Sequence, residues 1–304
     1  MDDLEPVATA AELADCEALR RAVLEALKWE RPDAMVADLF RREALVRFLR
    51  ARNSKIDKAS KMLAEAIRWR MSFDVEKVVA THSQDKSPEA QALRQRWPMG
   101  TQGVDKRGVP VYYARYGTAD LAALASDAGF DRFLAQALSD QRAIEAGLDA
   151  ASRAAGKHLV QIICVADFKG MQWSRAAKAV PTFKRLSRVL DDYFPERLHV
   201  AFATRAPWIF TAIWKLVAPF LAADTKAKVR ILGKADDHLK ALQEFIDFDQ
   251  IPDFLGGGLP TTISDGGVPD AAEEQLDEVA PAPTTDEVVE QFRADEQQLP
   301  TNIE

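Results

Sequence analysis

The stretch Leu198 to Leu232, LHVAFATRAPWIFTAIWKLVAPFLAADTKAKVRIL, reads as strand, loop, amphipathic helix, charged turn and strand. Such a run points to an α/β architecture, because a helix joining two neighbouring strands must lie on a face of their sheet. Its helical part is dense in Trp, Ile and Phe, and Pro207 stands where a proline suits the first helical turn. That much apolar surface needs a partner, and the candidates are the protein core, a lipid in a cavity and a membrane surface. A transmembrane span is not expected, because Arg205, Lys215 and Pro219 interrupt a run that barely reaches the roughly 20 apolar residues a bilayer requires.

The flanking sequence places this unit within a larger order. Glu12 to Glu30 carries Leu19, Val23 and Leu27 on one helical face, and Pro32 ends it. Further helices are predicted over about Ala34 to Arg52 and Lys55 to Arg70, so residues 1–80 read as a helical lobe. The polar region from Thr81 through SPEAQALRQRWPMG reads as a connection. Next come a strand at Val109 to Tyr116, a helix at Phe130 to Ala155 and a buried strand at His158 to Ala166. A helix at Trp173 to Tyr193, strands at His199 to Thr204 and Val229 to Leu232, and a helix at Ala235 to Phe245 complete an alternation that predicts a mixed, partly parallel sheet over residues 81–259.

From Pro260 onward there are 12 acidic residues and one Arg; removing them from the chain's 47 acids and 40 bases leaves 35 and 39. The acidity of this 304-residue chain therefore belongs to residues 260–304, whose Asp, Glu, Pro, Ala and Thr predict a disordered tail. The slightly basic body suits transient contact with an anionic membrane, not nucleic acid. Cys16 and Cys164, widely separated, suit a reducing, cytoplasmic setting, and the acidic N-terminus does not read as a secretory signal. There is no GxSxG, no HExxH and no clustered zinc ligands, so neither an enzyme nor a metal site is expected. Asp167, just after an apolar strand, and the dispersed His82, His158, His199 and His238 read as structural residues.

Six stretches resemble, in order, the CRAL-TRIO lipid-binding family and its phosphatidylinositol-transfer branch: LVRFLRARNSKIDKASKMLAEAIRWR (45–70), DKRGVPVYYARYG (105–117), SRAAGKHLVQIICVADFKGM (152–171), YFPERLHVAFATRAPWIFTAIWKLVAPFL (193–221), TKAKVRILG (225–233) and IPDFLGGG (251–258). The resemblance implies a helical lobe packed on an α/β domain whose sheet floors an apolar pocket for one lipid, closed by a gate helix over about Trp208 to Phe220. Burial is worth about 0.8 kcal/mol per CH₂, so an acyl chain of about fifteen carbons represents on the order of 12 kcal/mol that a carrier must supply.

The resemblance further implies a phosphatidylinositol headgroup site formed by Arg52, Glu196, Thr225 and Lys228. The implied cavity and gate residues are Ile162, Cys164, Phe202, Trp208, Phe210, Ile213, Trp214, Val217 and Phe220. A phospholipid ligand, no cofactor, a monomeric state, a transient membrane partner and presentation of lipid to a lipid kinase complete the expectation. Ile162 and Cys164 stand where the branch that also carries phosphatidylcholine has Ser and Thr, which points to a more apolar second ligand. Asn53 replaces the basic residue that often follows the FLRAR arginine. The alternatives are a carrier of a sterol, tocopherol or retinoid, and an adaptor acting through the acidic tail.

Overall fold

A computed structural model describes residues 7–120, 127–171, 173–207, 210–221, 223–233 and 237–263. The acidic tail lies outside the described residues. The chain opens with α1 (Ala10–Leu27), whose Thr9 and Glu12 form a reciprocal capping box, satisfying two backbone N–H groups that helix geometry leaves unpaired. The helix expected over 34–52 is two elements: a 3-10 segment Ala34–Phe40 and α2 (Arg42–Arg50). After α2, Asn53 and Ser54 have φ of 50° and 55°, and Asn tolerates this left-handed region better than a basic side chain. The departure at Asn53 thus has a backbone reason. α3 (Ile56–Ser72) completes the lobe, and Leu19, Leu45, Leu49, Leu63 and Ile67 share its core.

The region expected as a connection is instead α4 (Val75–Gln84), α5 (Pro88–Arg96) and β1 (Met99–Val104). Two glycines and short polar residues hide β1 from any periodicity argument; it is held by antiparallel pairing to β2 (Pro110–Arg115). The lobe boundary expected at residue 80 falls inside α4, which packs on α6 (Asp127–Ala155).

β3 (Ile162–Asp167), α7 (Trp173–Tyr193) and β4 (Leu198–Ala206) follow. The expected single gate helix is α8 (Phe210–Val217) continued as a 3-10 turn, Ala218–Phe220, where Pro219 cannot donate to an α-helical ladder. The charged turn is a short helix, α9 (Ala223–Ala227), leading into β5 (Val229–Gly233) and α10 (His238–Gln243). The five strands lie in sequence order, with β1–β2 antiparallel and β2 to β5 parallel.

Strand alternation divides the sheet. Val111, Tyr113, Ile163, Val165, Val200 and Phe202 point to one face and bury against Leu242, Ile246, Ile251 and Leu255. Tyr112 and Cys164, which are lateral partners, face the other way, under α6 and α7. Phe202, expected as a cavity residue, therefore belongs to the opposite face. A register shift at the start of β4 turns Val200 and Phe202 away from cavity-lining Leu198, so that Phe202 shares the face of its lateral partner Val165.

Candidate functional site

Between the α6–α7 side of the sheet and those helices lies a cavity of about 250 Å³. Ile162 and Cys164 form its floor, and Phe133, Ile144, Leu186 and Leu190 its apolar roof. One end is polar. There the loop before β4 brings Glu196 and Arg197, and α9 with its following turn brings Thr225 and Lys228. Lys228 Nζ donates to Glu196 Oε2 at 2.8 Å, and Gln161 Nε2 donates to the same oxygen at 3.4 Å.

Glu196 has φ of 53°, a region that costs a non-glycine residue of order 1 kcal/mol. The neighbouring Arg197 was not singled out from the sequence. It is 8% exposed, its Nη2 donates to Glu145, and among the described residues its Nε and Nη1 have no hydrogen-bond partner. Of the four expected headgroup residues, the structure brings together Glu196, Thr225 and Lys228. Arg52 sits in the turn after α2, donates to the Ala51 carbonyl at 2.8 Å, and is absent from the cavity wall.

Arg197 also belongs to a buried ionic network joining lobe to domain. Glu145 accepts from Arg142 at 2.8 Å and lies 3.9 Å from Arg47, while Arg142 and Arg70 reach Asp38 at 2.7 and 2.8 Å. Burial, and then the neighbouring Arg197, push the Arg47 guanidinium down to about 9; the cations around it hold Glu145 below the usual carboxylate range despite burial. Trp69 of α3 stacks on Tyr193 of α7 at 4.0 Å and 6°, a second clamp between the same parts.

The segment expected as the gate packs beside the cavity. Phe210 is buried against Phe168 with ring centroids 4.4 Å apart, Trp214 stacks on Phe210 at 6.2 Å, and Val217 packs on the same aromatic core. Trp208 lies outside the described residues, as do the side chains of Ile213 and Phe220. Asp167 accepts from Arg205 Nε at 2.8 Å, and His158 bonds Glu43 at 2.6 Å, both structural contacts.

At the opposite end of the cavity, Asp140 Oδ2 accepts from the Tyr112 hydroxyl and Oδ1 from Gln136 Nε2, each at 2.8 Å. Burial raises the Asp140 carboxyl to about 6 in spite of those bonds, and burial with Asp192 and Glu196 nearby raises Asp191 to about 6. Sequence did carry a signal here: Asp140 interrupts the stripe Phe133, Ala137, Ile144, Leu148 on α6. A carboxyl whose folded pKa is raised makes the folded state hold more protons between the ordinary value of 3.8 and about 6, so its contribution to stability falls as pH rises through that window. Thermal unfolding of Asp140→Asn and the parent at pH 4.5 and 7.5 should show the variant gaining on the parent by several degrees at the higher pH. A pH-independent difference would contradict the raised carboxyl; carboxylates held low, such as Glu12 and Glu43, cancel in the comparison.

A mixed, partly parallel sheet with helices over a largely apolar cavity that is polar at both ends defines an α/β protein with an internal cavity under α6 and α7. The family model for the CRAL/TRIO domain matches residues 94–257, and the chain belongs to that family. It is similar to phosphatidylinositol/phosphatidylcholine transfer protein SFH12 of Arabidopsis thaliana, 32% identical over 269 residues, covering 87% of this chain and 47% of the relative. Protein real-time of Aedes aegypti is 30% identical, covering 74% of this chain and 35% of its own. The chain thus spans about half or less of the length of these relatives. The crystal structure of Sfh5 has the same fold, with a TM-score of 0.59 at 16% identity over 95% of this chain and 98% of that one. Among the described residues no helix is long and apolar enough to cross a membrane.

Proposed function

We propose that this protein carries phosphatidylinositol between membranes, its acyl chains in the cavity under α6 and α7 and its headgroup at the Glu196–Lys228 end. The observation that carries this reading is the convergence of Glu196, Thr225 and Lys228, from separate elements, on one end of a cavity whose floor and roof are apolar. A buried phosphodiester needs cationic and hydroxyl donors, which Lys228, Arg197 and Thr225 supply, and the Glu196 carboxylate accepts bonds from inositol hydroxyls. The unpartnered Arg197 nitrogens favour this assignment, because a phosphate oxygen would satisfy donors that are otherwise buried without a bond. Arg197 takes the phosphate role that the resemblance gave to Arg52.

The cavity of about 250 Å³ lies just below the roughly 300–1,000 Å³ typical of ligand sites, so a two-chain lipid requires enlargement. Displacement of α8 from Phe168 supplies it, and the apolar face so exposed suits a membrane interface. Transient peripheral association, a cytoplasmic monomer and presentation to a lipid kinase belong to the same proposal. Lys228→Ala and Glu196→Ala should each reduce phosphatidylinositol transfer between vesicles at least tenfold with an unchanged circular dichroism spectrum. If transfer survives both substitutions, the headgroup assignment is wrong.

A further inference from the structure

The seam between the helical lobe and the α/β domain opens on the surface as a groove made of two adjoining depressions of about 540 and 370 Å³, which share Arg41, Glu43 and His158. Arg41 is ion-paired with Asp149 and Glu43 with His158, so these four groups satisfy one another. That leaves Arg20, Arg42, Arg153 and Lys157 in the groove wall with one further acid, Glu17. None of the four cations has an ion-pair partner among the described residues, and Arg42, Arg153 and Lys157 are exposed. α2 also begins here, with Arg41 at its N-cap, Arg42 as its first residue and no side chain capping it. The acid of its first turn, Glu43, is turned to His158. Cations at a helix end that is already electropositive leave an unmet demand for negative charge.

A concave cationic surface is complemented by an anionic chain narrow enough to enter it, whereas a flat bilayer meets only its rim. This protein carries such a chain: residues 264–304 contain 12 acids and one Arg. The chain leading into it is held on β1, where Gln102 Nε2 donates to the Pro260 carbonyl at 2.7 Å and the Thr262 N–H donates to Gln102 Oε1 at 3.1 Å. From Gln102 the path runs along β1 to Val104, whose lateral partner Pro110 sits against Gly147 of α6, and on along α6 to Ser152 in the groove wall. Those steps span roughly 25 Å. A flexible chain of 41 residues, the length of 264–304, has a root-mean-square span on the order of 35 Å, so the groove lies within its reach.

We propose that the acidic segment 264–304 docks in this groove, its carboxylates paired with Arg42, Arg153 and Lys157 across the seam between α2 and α6. Each exposed pair is weak by itself, and the tether supplies the effective concentration that holds several together, so the contact is sensitive to salt. This interface does not rest on the phosphatidylinositol reading, since neither Glu196 nor Lys228 takes part in it.

The test is zero-length carbodiimide coupling of the full chain, which joins a carboxylate to a lysine Nζ, with loss of water, only where the two meet. Among the described residues Lys157 is the one lysine lining the groove. Lys106, exposed and four residues beyond Gln102, is the reference, because an undocked segment meets it at least as often. Peptide mapping at low salt should find acids of 264–304 joined to Lys157 at least about fivefold more than to Lys106, with the excess lost at about 1 M salt, where the Debye length falls to roughly 3 Å. Arg42→Glu combined with Arg153→Glu should remove the excess at low salt with an unchanged circular dichroism spectrum; the salt series on the parent decides the matter even where that variant fails to fold. An excess that survives both salt and charge reversal overturns the proposal, and so does coupling confined to cross-linked dimers, which gives the groove to a second copy. No excess at Lys157 overturns it too, and weaker binding of the charge-reversed chain to phosphatidylserine vesicles then assigns the groove to a membrane.

Discussion

Replacing Glu145 by alanine lowers the stability of the folded protein by about 3–5 kcal/mol, the cost of removing one partner from a buried ionic group. Arg47 and Arg197 are 5% and 8% exposed, and both lie against this carboxylate, with Arg142 on its other side. Without it, buried guanidinium groups face each other with no carboxylate between them. At roughly 2–4 °C per kcal/mol for a domain of this size, thermal unfolding shifts down by roughly 6–20 °C. Calorimetry or circular dichroism measures this directly, and a loss under about 1 kcal/mol would show that the network is solvated and not structural. Replacing Arg47, Glu145 and Arg197 together by Met, Leu and Met restores much of the loss, since the damage lies in the uncompensated charges. Because Arg197 also lines the cavity, that triple variant should still lose lipid transfer.

Phe202→Ala destabilises by a comparable amount for an unrelated reason. Phe202 is fully buried, meets Phe245 edge-on at 5.7 Å and packs with Val200, Leu242 and Ile246. Truncating such a ring removes apolar contact and leaves a void, together about 3–5 kcal/mol. The informative part is what stays the same. Phe202 lies on the sheet face away from the cavity, so lipid bound per folded molecule should match the parent when unfolded protein is removed by gel filtration. A changed ligand preference in the folded fraction would put Phe202 back on the cavity wall.

These two residues mark where reading the sequence succeeds and fails. The alternation of apolar strands with amphipathic helices was visible from Val109 onward because each strand carries β-branched or aromatic residues and each helix a clear stripe. β1 and α5 were not visible. MGTQGV has no apolar alternation, and PEAQALRQR has no apolar stripe, so their structure comes from the neighbours they pair with or extend. Glu196, Thr225 and Lys228 were legible through resemblance, and they do meet. Arg52 was legible in the same way, but it sits in a turn whose left-handed residues direct the chain into α3.

The sequence by itself determined the class of fold, because periodicity and local composition act over a few residues; the expected gate segment and the cavity floor at Ile162 and Cys164 came from the resemblance. Tertiary structure alone decided which side of the sheet holds the cavity, which arginine joins its Lys228 end, and that α6 turns Gln141 inward. Those outcomes depend on lateral strand register and on charges brought together from positions as far apart as Arg47 and Arg197. The stretch from Leu198 to Leu232 could announce that it needed an apolar partner. Only packing identified that partner as Phe168 and the aromatic core beside the cavity.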